Sequence, residues 1–344
     1  METRERGSAG QGILGAEGRG LPVIAITMGD PAGIGPEIVL KSLIEGGIGD
    51  VCVPLVIGEK ELLENTAEQI GIDQPALNDK ILPFVLDLKN VSEGLVSGVE
   101  SGLTGKASAE YIEKAVELWR LGDVDAIATA PISKNAISMA GYPFPGHTEF
   151  LASLTDTKEF AMSFFADDLR VVLLSTHVSL RNAIELVKRR SLVDLIEFSA
   201  KQLSGLLHRD VKLAVAGLNP HASENGMFGD EESREIIPAI EECRDRLGID
   251  VSGPFSPDTI FLRGYRGEFD GVIACYHDQA TIAVKSLSFG SSVNVTLGLP
   301  LIRTSVDHGT AFDIAGKGIA EASSMSTAIK LAAKLAIDSR AREK

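Results

Sequence analysis

Three histidines stand in polar, turn-rich loops, each directly after an apolar run. They are His177 in Leu-Leu-Ser-Thr-His-Val, His221 in Gly-Leu-Asn-Pro-His-Ala and His277 in Ile-Ala-Cys-Tyr-His-Asp-Gln. The chain has six histidines, so half of them share this placement. Short runs of small or β-branched residues read as buried parallel strands. In open α/β sheets, ligands bind at the carboxyl ends of such strands. Three imidazoles delivered there can hold one divalent metal and leave positions open for a substrate. Taken singly, each histidine reads more readily as an ordinary loop or satisfied core residue than as a ligand. The spacings of 44 and 56 residues also match no short zinc signature.

Other segments carry chemistry of their own. The loop Gly29-Asp-Pro-Ala-Gly-Ile-Gly35 can cradle an anion at a helix N-terminus, or be only a tight turn. It is neither a Walker loop nor a clean dinucleotide fingerprint. In Gly146-His147-Thr148-Glu149 an imidazole and a hydroxyl open a helix. They read as a pair for polar substrate groups, or with Thr148 as a plain N-cap. From Asp270 to Gly318 polar groups are densest, and Lys285 and Arg303 are cations in apolar context. Such cations call for a partner or a ligand. A phosphate is a natural one, with structural salt bridges to Asp278 or Asp307 as the alternative.

The elements that position these groups alternate. Strands are expected at Pro22 to Thr27, Val51 to Ile57, Asp125 to Thr129, Lys212 to Ala216 and Gly271 to Cys275. Phe160 to Phe165 and Val171 to Leu174 read as an antiparallel pair because their link is short. Helices are expected at Ala107 to Leu121, Leu180 to Leu206 (split near Ser191), Glu231 to Leu247 and Ser323 to Ile337. The alternation predicts an α/β fold, a mostly parallel sheet between helices, in two α/β/α lobes. The boundaries expected are 21–145 plus 305–344 for lobe 1 and 146–304 for lobe 2. Residues 1–20, rich in Gly, Arg and Glu, read as a disordered extension.

Composition excludes several roles. A net charge of −15 argues against binding nucleic acid, whose backbone repels such a surface. No apolar stretch approaches the roughly 20 residues that span a bilayer, so no membrane role is expected. Three cysteines without a C-x-x-C pattern fit a reducing cytoplasm; Cys52 and Cys275 read as core, Cys243 as part of a charged helix.

The blocks Gly29-Asp-Pro-Ala-Gly-Ile-Gly-Pro-Glu37, Gly146-His-Thr-Glu-Phe150, Ser175-Thr-His177, Gly217-Leu-Asn-Pro-His221, Pro257-Asp-Thr259, Tyr276-His-Asp-Gln279, Asn294-Val-Thr-Leu-Gly-Leu-Pro300 and Arg303-Thr-Ser-Val-Asp-His-Gly-Thr310 occur in this order. With them the chain resembles the 4-hydroxythreonine-4-phosphate dehydrogenase family of vitamin B6 synthesis, over residues 22 to about 335. The segment from Asp307 to Ala320 also looks like the adenosine-binding loop of isopropylmalate and isocitrate dehydrogenases. The resemblance implies that wider fold, which binds NAD without a Rossmann fingerprint.

The resemblance further implies a divalent metal, zinc first and magnesium or cobalt next, on His177, His221 and His277. It implies substrate contacts at His147, Thr148, Lys285, Asn294 and Arg303, and NAD contacts at His308, Gly309, Asp313, Ile314 and Ala315. It implies a homodimer whose metal site borrows a histidine from the neighbouring subunit. Asp278 and Asp258 are candidates for proton transfer or for orienting the ligand histidines, and Lys134 for reaching the substrate. The expected reaction is NAD-dependent oxidation and decarboxylation of 4-phosphohydroxy-L-threonine to 3-amino-2-oxopropyl phosphate. Two departures bear on the substrate: Ala280 where the family usually has glycine, and the segment Lys285-Ser-Leu-Ser-Phe-Gly-Ser-Ser292. A sister group acts on phosphorylated sugar acids such as D-threonate or D-erythronate 4-phosphate. A phosphate acyltransferase on a related fold and an inactive binding protein are the other classes.

Overall fold

The computed structural model describes residues 20–91, 94–288 and 290–341. The extension expected over residues 1–20 therefore lies outside the described residues, apart from Gly20. The chain divides into two compact units: one from the N-terminal part to Lys158 together with Leu299 onward, the other Glu159–Gly298.

The first unit holds β1 (Val23–Thr27), α1 (Gly35–Glu45), β2 (Val53–Gly58), α2 (Lys60–Gln69), α3 (Gln74–Lys80), β3 (Val85–Asp87), α4 (Gly102–Leu121), β4 (Ala126–Thr129), α5 (Lys134–Met139), α6 (His147–Leu154), β11 (Ile302–Ser305) and α12 (Ser323–Arg340). Its strands run in the order β3-β2-β1-β4-β11, all parallel. Every residue of β1, β2 and β4 is buried, as apolar runs in a covered parallel sheet must be. Helix α4 packs on β1 and β2, and α12 on β11, β4 and β1. The ends of α4 are written in sequence: Ser101 caps it by accepting from the Thr104 amide at 3.3 Å, and Gly122 closes it at φ +79°. Gly105 lets α4 meet α5; a Cβ there would stand 1.9 Å from the Ala136 carbonyl oxygen.

The second unit holds β5 (Ala161–Ala166), β6 (Leu169–Leu173), α7 (Leu180–Leu186), α8 (Arg189–Leu207), β7 (Leu213–Ala216), α9 (Ile237–Glu241), β8 (Val251–Phe255), α10 (Pro257–Tyr265), β9 (Gly271–Ala274), α11 (His277–Leu287) and β10 (Val293–Leu297). Its strand order is β10-β5-β6-β9-β7-β8. The β5–β6 pair is antiparallel, as the short link required, and so is β10–β5; β6, β9, β7 and β8 are parallel. Glu232–Ile236 and Glu242–Arg246 are π-helical turns flanking α9. The helix break expected near Ser191 falls at Val187–Lys188.

All three cysteines are free and buried. Cys243 thus joins the core, although its helix is charged: it sits on the face turned inward with Ala239 and Ile240.

Candidate functional site

Strands β6, β9 and β7 are parallel neighbours, so their carboxyl ends lie side by side. His177 follows β6, His277 follows β9 and His221 follows β7. Hydrogen bonds tie the three exits together. The Ser175 hydroxyl donates to the Cys275 carbonyl at 3.0 Å. Gln279 accepts from the Cys275 amide at 2.7 Å and donates to the Gly217 carbonyl at 2.8 Å. The last residue of the Tyr276-His-Asp-Gln motif is therefore a buried strut between two histidine loops.

The rings of His177 and His277 lie 5.7 Å apart, centre to centre. Two imidazoles at that separation can share an ion at the roughly 2 Å zinc–nitrogen distance. His277 Nδ1 pairs with Asp278 Oδ1 at 2.7 Å, which leaves Nε2 for coordination. His221 is placed differently. It opens a run of left-handed residues, His221 to Asn225, and its ring faces Phe228 at 6.4 Å. Glu232, almost fully buried, holds that loop by accepting from the Asn219 amide at 2.7 Å and its side chain at 2.9 Å. Among the described residues no three His, Cys, Asp or Glu side chains come together as a metal group. His177 and His277 are the pair of expected donors whose rings the structure brings face to face. Asp258 lies in the first turn of α10, where the Ser256 hydroxyl donates to its carboxylate. The Ser256 hydroxyl, and after it the Asp258 backbone amide, hold its carboxyl below the usual range against the effect of burial.

Lys285 corrects the reading of its sequence context. The inward face of α11 carries Ala280, Thr281 and Val284, whereas Lys285 is exposed, as is its apolar neighbour Ile282. Asn294, on β10, has its Oδ1 buried without a hydrogen-bond partner among the described residues.

In the first unit, Arg303 lies within β11 and is 2% exposed, so it is fully buried, as its apolar context suggested. Its Nη2 donates to Thr129 Oγ1 on β4 at 2.9 Å. Burial pulls its pKa down to about 10, with Glu149 opposing, so it stays charged at neutral pH. His147 opens α6, and Gly146 is the N-cap; Thr148 lies inside the first turn and does not cap. Phe144 stacks on Phe150 at 4.6 Å and fixes the chain's entry into the helix. His147 Nε2 is shut off from solvent, and burial, then the Arg303 charge, push the imidazole well below its ordinary range. It is neutral at pH 7. Lys134 Cε comes within 3.6 Å of the Cβ position at Gly146, so the lysine stands beside the same turn.

The Asp307–Gly318 segment is mounted on the N-terminal glycine loop. The Ile34 amide donates to the Thr310 carbonyl at 2.9 Å, and Ser324 donates to Asp307 at 3.3 Å. Phe312–Ile314 is a 3-10 turn with Asp313 exposed. His308 Nδ1 lies 3.1 Å from the Gly309 carbonyl. Beyond Gly316 the chain is gripped by α1. Glu37 accepts from the Ala320 and Gly318 amides at 2.8 and 3.2 Å, while Lys41 donates to the carbonyls of the same two residues at 2.8 and 2.9 Å. Asp30, wholly buried, accepts from Ala32 and Thr104, and burial raises its pKa. Gly29 holds φ +77° with a Cβ position 2.4 Å from the Pro131 carbonyl, so only glycine serves there. Sequence reasoning gave Asp30, Glu37 and Lys41 no role. The one signal for the last two was the four-residue spacing of opposite charges on a helix.

The chain matches the family model described as "Pyridoxal phosphate biosynthetic protein PdxA" over residues 50–332. It is 46% identical over 326 residues to a D-threonate 4-phosphate dehydrogenase of Cupriavidus necator, covering 92% of this chain and 98% of the relative. A 4-hydroxythreonine-4-phosphate dehydrogenase of Klebsiella pneumoniae is similar with a TM-score of 0.81 at 42% identity, over 92% of this chain and 99% of that one. A terephthalate 1,2-cis-dihydrodiol dehydrogenase of Burkholderia xenovorans is similar at 27% identity with a TM-score of 0.60, over 91% of this chain and 97% of that one.

Proposed function

Because this chain belongs to the PdxA family, we propose that it oxidises the secondary alcohol of a phosphorylated four-carbon hydroxy acid, with NAD as hydride acceptor. It is an oxidoreductase of a CH–OH group, like the relatives named as dehydrogenases of 4-phosphorylated acids. The observation that carries the substrate class is the Arg303–His147 arrangement: a charged guanidinium, buried, beside an imidazole kept neutral. A buried cation beside neutral donors suits a phosphate.

Hydride leaves C3 of the acid for NAD and the hydroxyl proton leaves as H⁺, giving a β-keto acid. That acid loses CO2, and a proton replaces the carboxyl group. His147, Thr148 and Arg303 hold the phosphate in this reading, with Lys285 and Asn294 as further substrate contacts. His177 and His277, with His221, are the residues that would hold a divalent ion. When bound, it supplies a Lewis acid that lowers the pKa of the alcohol. Asp278 orients His277 through Nδ1, which favours a positioning role for it over proton transfer. His308, Gly309, Asp313, Ile314 and Ala315 are assigned to the adenosine side of NAD. The active unit in this reading is a homodimer, which rests on the family resemblance.

Two substrates fit equally, differing in the group at C2. The amine compound, 4-phosphohydroxy-L-threonine, gives 3-amino-2-oxopropyl phosphate; the hydroxyl compound, D-threonate 4-phosphate or its erythronate epimer, gives dihydroxyacetone phosphate. The purified protein, supplied in turn with zinc, magnesium and cobalt, should reduce NAD and release one CO2 per NADH with one of them. No NADH with any of these acids would remove the reading.

A further inference from the structure

The Asp307–Gly318 segment passes over a cavity of about 200 Å³ in the first unit, between α1, α2 and residues 95–97. The segment is fastened before the cavity by the Ile34–Thr310 hydrogen bond and after it by Glu37 and Lys41. Around the cavity, the side chains of Asn65 and Gln69, one turn apart on α2, and of Ser97 make no hydrogen bond among the described residues. Gln69 Oε1 and Ser97 Oγ come within 3.3 and 3.2 Å of the Cβ position at Gly316, so a side chain there would crowd both. Among the described residues no lysine or arginine lines the cavity, and Glu37, the one charged residue of its lining, is spent on Lys41 and on the Gly318 and Ala320 amides.

A site of two carboxamides, a hydroxyl and bare glycine backbone, without a cation, suits a neutral hydroxylated ligand and repels phosphate. We propose that this cavity takes the adenosine ribose of the dinucleotide, and that Asn65 and Gln69 select a free 2′-hydroxyl, hence NAD over NADP. The proposal rests on the nucleotide-dependent reading above and adds to it the cavity and the two side chains that set the choice of NAD.

The test is equilibrium binding of NAD, NADP and AMP to the intact protein, followed by calorimetry. Removing two neutral hydrogen bonds in Asn65→Ala/Gln69→Ala should weaken NAD and AMP by roughly two- to tenfold per bond. The melting temperature should hold, because both side chains are exposed and make no hydrogen bond among the described residues. Gln69→Met, which keeps the length, should reproduce its share of the loss. Gln69→Arg should shift the NADP-to-NAD affinity ratio toward NADP by about tenfold or more. Wild-type protein that binds NAD while the double variant binds it equally well overturns the ribose assignment alone. Wild-type protein that binds none of the three nucleotides overturns both the assignment and the nucleotide-dependent reading.

Discussion

Arg303 and His147 oppose one another electrostatically inside the first unit. The guanidinium's charge adds to burial in keeping the imidazole unprotonated, while the Thr129 hydroxyl and Glu149 stabilise the guanidinium. One group is thus a fixed cation at neutral pH and the other a neutral donor or acceptor, and several consequences can be measured.

Arg303→Met keeps most of the volume and removes the charge. A charge-assisted contact is worth about 1.5–3 kcal/mol, or roughly ten- to more than a hundredfold in binding. KM for the phosphorylated acid should rise by that factor, and the preference over the dephosphorylated analogue should vanish. Undiminished discrimination between the two would place the phosphate elsewhere, with Lys285 next in line.

The pH dependence follows from the direction of the His147 shift. The unfolded chain takes up a proton below its ordinary pKa of 6.5, and the folded imidazole does so only at lower pH. Stability from this group is therefore full above pH 6.5 and declines as pH falls below it. Thermal melts at pH 7.5 and 5.5 should show a larger drop for the wild type than for His147→Gln. Equal drops would mean that the imidazole titrates normally.

If His177, His221 and His277 serve one ion, alanine at any of them should reduce bound zinc to background, read by elemental analysis of protein dialysed against the metal. Asp278→Ala should retain the site with affinity weakened about 10- to 100-fold, the usual cost of losing the group that orients a ligand histidine. A His221→Ala protein with full occupancy would restrict the site to the His177–His277 pair and other donors.

Glu37→Gln leaves Lys41 without its carboxylate and weakens two amide contacts on the loop. A loss of about 2–4 kcal/mol is expected, from backbone donors left poorly satisfied at roughly 1–3 kcal/mol each. Urea unfolding should show it as a lower midpoint, with KM for NAD raised more than kcat is lowered. An unchanged midpoint would mean that the grip contributes nothing to stability.

Gly105→Ala pushes a methyl group into the Ala136 backbone, which no rotamer change can relieve. Overpacking of this kind costs about 1–3 kcal/mol or more. The melting temperature should fall clearly, whereas Gly49→Ala, where the space is open, should leave it nearly unchanged.

The histidine loops were legible because a buried strand must be apolar and a strand exit must not be, so His177, His221 and His277 stood out at once. Strand β8 was not, since Val251-Ser-Gly-Pro-Phe255 carries the Gly-Pro mark of a turn. The exposure of Lys285 depended on which face of α11 turned inward, and its neighbours are apolar on both sides in sequence. The grip of Glu37 and Lys41 on Gly318 and Ala320 joins groups nearly the whole chain apart, through main-chain atoms that have no sequence signature. The left-handed turn at His221 is carried by residues, among them Ala222 and Glu224, that ordinarily avoid it, so nothing local announced it.

Strand β11 pairs with β4, yet Ile302 meets Ala126 only after the whole second unit has intervened. On a ribosome adding about 5–20 residues per second, β4 waits on the order of ten seconds or more for its neighbour. The second unit is continuous in sequence and can close during that wait. The first unit cannot: its sheet holds an open edge at β4, of the kind that invites pairing with another chain. Arg303 therefore reaches its place only near the end of synthesis, and a nascent chain truncated before β11 should be the species most in need of a chaperone.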